Sequence, residues 1–160
     1  MILRREARGF TLIELIITVA IIGLLASAAF PLAQMVSQRI KEQQLRVALR
    51  DIRNAIDAYK LAVEQGHVTR AVDASGYPPS LDVLVEGTED LLDPNLRPMY
   101  FLRRMPRNPF FPDASADAAD TWGLRSYESP PQDPAPGDDV YDVYALSGRT
   151  ALDGSHYSDW

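Results

Sequence analysis

Between residues 10 and 30 the chain is apolar or small at nearly every position, and the one charged side chain there is Glu14. At about 1.5 Å per residue, a helix over this run is roughly 30 Å long, enough to cross the hydrocarbon core of a bilayer. Past Pro31 the pattern changes. Leu45, Ala48, Leu49, Ile52, Ala55, Ile56, Tyr59, Ala62 and Val63 recur at the i, i+3, i+4, i+7 spacing of an amphipathic helix, with Arg46, Arg50, Arg53, Asp57 and Lys60 on the opposite side. The spacing predicts one helix from about Phe10 to Gln65, stopped by Gly66. Proline inside a helix removes a hydrogen bond and crowds the preceding turn, so Pro31, with Gly23 upstream, makes residues 23–31 its weakest part.

The rest of the chain must cover the apolar stripe. Gly76-Tyr77-Pro78-Pro79 predicts a turn, and Ser80 a cap for a short helix reaching Val85 before Gly87. A connection punctuated by Pro94, Pro98, Pro106 and Pro109 comes next. Two strands are predicted, Thr121–Tyr127 and Val140–Leu146, separated by a loop holding Pro130, Pro131, Pro134, Pro136 and Gly137. Alternation turns Tyr141 and Tyr144 to opposite faces, one to the core and one to the surface, and Trp160 is expected to tuck into the domain. The fold class is α+β: a long N-terminal helix, half membrane and half amphipathic, packed on a small antiparallel sheet with a C-terminal loop.

Charge separates the two regions. The whole chain carries −6; without residues 1–9, which hold three arginines and Glu6, 13 basic and 21 acidic side chains remain, a net −8. An acidic soluble part argues against nucleic acid as a partner. The absence of cysteine excludes disulfides and thiolate metal sites. Arg4, Arg5 and Arg8 before the apolar run place the N-terminus in the cytoplasm and the residues beyond the run on the other side of the membrane.

Three fates fit the N-terminal segment. It is a permanent anchor, a secretory signal cleaved after Ala26-Ser27-Ala28, or a segment cleaved after Gly9 that keeps its apolar helix. A carboxylate in a membrane helix costs about 2.5–3.5 kcal/mol on insertion scales, and only the third fate supplies a reason for Glu14. Cleavage would make Phe10 the new terminus, four residues from Glu14 and on the same helix face. Its amine, or that of a neighbouring helix, can then neutralise the carboxylate and fix the axial offset between subunits.

Gly9-Phe10-Thr11-Leu12-Ile13-Glu14-Leu15 behind a short basic leader resembles the prepilin processing motif of type IV pilins and type II secretion pseudopilins. The resemblance implies a leader of residues 1–9 removed by a prepilin peptidase, N-methylation of Phe10, and pairing of Glu14 with a neighbour's terminus in a filament. It also places a helix proline at Pro31, between a membrane and filament-core segment of residues 10–30 and an amphipathic continuation over 31–66. Tyr77-Pro78-Pro79-Ser80-Leu81, Tyr100-Phe101-Leu102, Met105-Pro106-Arg107-Asn108-Pro109-Phe110 and Val140–Ser147 are similar to the corresponding parts of major pseudopilins. Asn108 and Phe110 stand where that family usually has aspartate and tryptophan. The implied protein is a non-catalytic structural subunit of a pseudopilus that helps drive export, single-pass in the bacterial inner membrane, with residues 67–160 as a periplasmic domain. The implied partners are copies of itself, minor pseudopilins, the peptidase, and an inner-membrane assembly platform with its ATPase. The alternatives are a type IV pilin or minor pilin of a surface fibre and, from another class, an anchored periplasmic binding domain or enzyme.

Two departures from the pattern stand out. Phe111–Thr121 is longer than the tight turn usual there, and the C-terminal loop is short. The resemblance implies calcium in that loop, for which Asp153 and Asp159 are the acids available; the competing reading is surface acids in a turn, with Arg149 as a charge partner. His67 and His156 share no metal-ligand spacing, and no nucleophile or phosphate-binding motif is present. Residues 113–142 hold eight acids against one arginine, preceded by Arg103, Arg104 and Arg107. These charges are either solvated or pair laterally between subunits.

Overall fold

A computed structural model describes residues 9–160, apart from the side chains of residues 28 and 29. Arg4, Arg5 and Arg8 of the expected leader lie outside the described residues. The chain divides into two compact units, Met1–Arg39 and Ile40–Trp160. Helix α1, Leu12–Glu64, runs through the division and continues unbroken past Pro31. Its end is set by Gly66. That residue sits at φ 83°, where its amide donates to Val63 O and the His67 amide to Ala62 O, satisfying carbonyls the helix leaves open.

The second unit is organised by the stripe on α1. The nine stripe positions named above, from Leu45 to Val63, are all buried, and they meet Val68, Leu81, Leu84, Phe110, Trp122, Val140, Val143, Ala145, Ala151 and Tyr157. The cations of α1 are less uniformly solvated than the pattern implies. Arg53 reaches over the stripe's edge to Asp142 Oδ1 at 2.7 Å and Val143 O at 2.9 Å, and Lys60 to Ser75 O at 2.9 Å. Their stems cover apolar surface while their heads tie down β-strand and loop backbone.

Regular structure beyond α1 is sparse. Helix α2 is one turn, Val83–Glu86. Ser80 does not cap it: the turn begins with Asp82 O accepting from Val85 and Glu86, and no side chain caps the start. Gly87 ends it as expected, at φ 82°. The antiparallel sheet is two separate two-stranded ladders. Strand β1, Thr88–Glu89, pairs with β2, Pro98–Met99, where the sequence pattern predicts only a connection. Pro98 is compatible with a strand that has no further neighbour. Asp93 closes the intervening loop through Asn95 N and an ion pair with Arg97 at 2.6 Å, and the His67 ring, 2.8 Å from Asp90, ties the loop to the end of α1.

The two predicted strands form, shorter than the pattern suggests, as β3, Trp122–Arg125, and β4, Asp142–Ala145. Their register pairs Trp122 with Ala145 and Gly123 with Tyr144. The Tyr144 ring lies on Gly123 so closely that a Cβ there would fall 2.2 Å from it. Tyr141 instead joins Tyr77 and Tyr127 in an aromatic cluster beneath Arg125, so both tyrosines are half-buried and neither is a core residue.

Asn108 is 1% exposed and explains the missing aspartate. Its Oδ1 accepts from Phe110 N at 2.9 Å while its Nδ2 donates to Thr121 O at 3.2 Å. An ionised carboxylate can do only the first. The long segment after it is held by Arg107, which bonds the carbonyls of Asp113 and Ala116 and is therefore folded inward rather than grouped with exposed Arg103 and Arg104. Asn108→Asp should cost about 1–3 kcal/mol at pH 7, because Thr121 O then faces an acceptor. Facing that acceptor raises the acid's pKa in the folded protein, so the cost should shrink as pH falls toward about 4, where the acid can donate. Thermal melts of both proteins at the two pH values check this.

Candidate functional site

The chemistry singled out in the sequence lies at two places, the start of α1 and the C-terminal loop. At the first, Gly9 and Phe10 precede the helix and are exposed, Phe10 at 89%. The helix begins one residue after Thr11, which is its cap. Thr11 Oγ1 accepts from Glu14 N at 3.3 Å, and Glu14 Oε2 accepts from Thr11 N at 2.9 Å and from Thr11 Oγ1 at 2.8 Å. This reciprocal Thr-x-x-Glu capping box satisfies amides that the first helical turn leaves without partners. Thr11 is a helix cap that the apolar pattern conceals, although Thr11-Leu12-Ile13-Glu14 spells the box.

The apolar run beyond the cap has a mean hydropathy of 2.4 over 18 residues and is unburied within the protein. Its remaining polar side chains are satisfied locally. Thr18 Oγ1 donates to Leu15 O at 2.8 Å and Ser27 Oγ to Leu24 O at 2.7 Å. Such back-bonding lets hydroxyls sit in hydrocarbon without an exposed donor. Pro31 lies inside the helix.

At the C-terminus the structure brings different residues together from those expected. Asp153 forms a turn with Ser155, accepting from its amide at 3.0 Å and its hydroxyl at 2.6 Å, and pairs with Arg46 Nη2 at 3.3 Å. Arg149 lies over the Phe110 ring instead. Asp159 accepts only from its neighbour Ser158. Trp160 does pack inward, edge-on to Tyr157 and under the Arg46 guanidinium at 4.1 Å. Glu42, on α1, is buried and accepts from Leu152 N and from the Tyr157 hydroxyl, both at 2.9 Å.

This donor set does not fit calcium, which takes six to eight oxygens with several carboxylates among them. The Asp153 carboxylate is already paired with the Arg46 guanidinium, Asp159 does not join it, and among the described residues no three acidic or histidine side chains converge.

Comparison with known proteins now bears on the first place. Residues 4–30 match the family described as the prokaryotic N-terminal methylation motif. The type II secretion system core protein G of Vibrio cholerae is 30% identical over 109 residues, covering 66% of this chain and 67% of that protein. The chain belongs to the type II secretion core protein G family. It is similar as well to the core protein G of Klebsiella michiganensis, 29% identical over 143 residues, 85% of this chain and 91% of that one. The Aeromonas hydrophila protein is 28% identical over 111 residues, 67% and 70% of the two chains. No solved structure matches at comparable significance. The protein is thus a pseudopilin, anchored to a membrane by its apolar N-terminal helix, and the alternatives of another class are not favoured.

The pseudopilin's turn acids carry a pH signature. The Ser155 hydroxyl and amide, with Arg46 nearby, hold the Asp153 carboxyl below its usual value, and Ser115 and its amide do the same for Asp113. A carboxyl whose folded pKa is depressed contributes stability above its unfolded value, and that contribution is lost as pH falls through the folded one. Melting temperature should therefore hold from neutral pH to about 4 and fall below it. Asp153→Asn, which keeps the turn acceptor without the charge, should soften that fall. Melts from pH 7 downward read both effects.

Proposed function

We propose that this pseudopilin is a structural, non-catalytic subunit that builds a type II secretion pseudopilus through the first helix of its processed chain. Residues 1–9 are the leader removed by a prepilin peptidase between Gly9 and Phe10, and the Phe10 amine is methylated. Residues 10–30 span the inner membrane and enter the filament core, 31–66 continue the helix, and 67–160 form the periplasmic domain. Copies of itself, minor pseudopilins, and an assembly platform with its ATPase are the partners.

The capping box is the observation that carries the reading. In the unprocessed chain Glu14 is already hydrogen-bonded by Thr11, yet no cation meets it among the described residues. Hydrogen bonds relieve part of the cost of a carboxylate in hydrocarbon and leave its charge uncompensated. Cleavage after exposed Gly9 supplies the missing cation as the Phe10 amine. In cis that amine would meet a carboxylate whose Oε2 the cap already engages. In trans, from an adjacent subunit, it neutralises Glu14 and sets the offset between helices.

Two substitutions separate capping from assembly. Thr11→Ala removes the cap at a cost of about 1 kcal/mol and should leave processing and filaments in place. Glu14→Val should be processed and inserted normally but form no filament and support no export. Filament yield after mild shearing, together with the intact mass of the membrane form, reads both. Equal filament loss in the two variants would reduce Glu14 to a helix cap, and normal filaments from Glu14→Val would overturn the role. A mass beginning at unmethylated Met1, or at Ala29, would remove the processing on which it depends.

A further inference from the structure

The family resemblance implies a calcium ion in the C-terminal loop, and the residues there do not fit one. What occupies that part of the fold instead is specific. Glu42 and Arg46 are one helical turn apart on α1 and point the same way, toward the loop. Glu42 is 8% exposed, and its Oε1 gathers the Leu152 amide and the hydroxyl of Tyr157, a side chain with no exposed surface. Arg46 provides the positive charge. Its guanidinium pairs with Asp153 and lies on the Trp160 ring. The circuit closes through Ser155, whose hydroxyl donates to Asp153 at 2.6 Å and accepts from Trp160 Nε1 at 2.7 Å.

We propose that Glu42 and Arg46 latch the C-terminal loop to α1 in the place where the family's loop is held by a divalent cation, so that this loop folds without calcium. A calcium ion organises a loop by gathering carboxylates and carbonyls around a positive centre. Here the positive centre is a guanidinium already 3.3 Å from the acid the ion would need. Three of the loop carbonyls already accept backbone hydrogen bonds. Ser155 O accepts from Ala151 N, Ala151 O from Gly154 N, and Arg149 O from Tyr157 N. A second positive centre beside Arg46 would be repelled at that distance. Glu42 adds what calcium does not, a direct acceptor on the long helix for the loop's backbone, fixing the loop against α1 rather than only closing it on itself. The latch lies wholly within residues 40–160 and does not rest on the role assigned to Glu14.

The test uses the full chain purified from membranes in detergent, with calcium chloride or EGTA as the probe. The wild-type melting temperature should differ by less than about 1 °C between the two, since a ligand stabilises only in proportion to its binding. In the indole region of a proton–nitrogen NMR spectrum, Trp160 and Trp122 give separate signals. Arg46→Gln, at a half-exposed position that does not threaten folding, should move the Trp160 signal toward that of a solvated indole and leave Trp122 in place. Glu42→Gln should lower the melting temperature by several degrees, with no recovery on adding calcium. A calcium-dependent rise of several degrees in the wild type would overturn the proposal. So would a Trp160 signal that is unchanged in Arg46→Gln.

Discussion

The soluble unit depends on one constraint: nine apolar side chains in a row on α1 must be covered by a chain with almost no other regular structure. The four strands are two to four residues long, and the only other α-helix among the described residues is a single turn. Coverage is achieved instead by side chains that reach from helix or loop to loop backbone. Arg53 holds β4, Lys60 the turn before Tyr77, Arg107 the long segment after Phe110, and Glu42 the C-terminal loop. Each works because a loop buried against an apolar face would otherwise carry unpaired amides and carbonyls, and each supplies the missing partner. The core is therefore hydrophobic on one side and clipped by polar groups on the other.

That division decides what is readable in the sequence. The stripe from Leu45 to Val63 is legible to the residue, because burial along a helix imposes a period that composition records directly. The strands around Leu124 and Val143 are legible for the same reason, though their ends are not. The clips leave no periodic trace. Arg107 reads as one of three surface arginines, and only the fold shows that its fork meets the carbonyls of Asp113 and Ala116. Asn108 reads as a departure from a family pattern, and only its contact with Thr121 shows why an amide is the side chain that fits. The hairpin of β1 and β2 is hidden by Pro98, which argues against a strand in general but not at an edge.

The membrane end shows the reverse. Glu14 stands out in the sequence, since a charge in an apolar run demands an explanation, while the local structure around it does not. Thr11 looks like one more small residue in an apolar segment. Its hydroxyl and amide give the carboxylate a home within the same chain. The C-terminal loop misleads from the other direction: its acids can be counted, but the guanidinium and buried glutamate that face them from α1 are too distant in sequence to be counted with them.

The capping box changes how the energetics of assembly are framed. In a subunit waiting in the membrane Glu14 is hydrogen-bonded by Thr11 but keeps its negative charge. Under the proposed role, joining a filament exchanges one set of partners for another, and only the difference between them drives the step. That difference is the charge compensation the cap does not give, less the hydrogen bonds that are exchanged. The cap thus lowers the cost of a free subunit without removing its reason to join a neighbour.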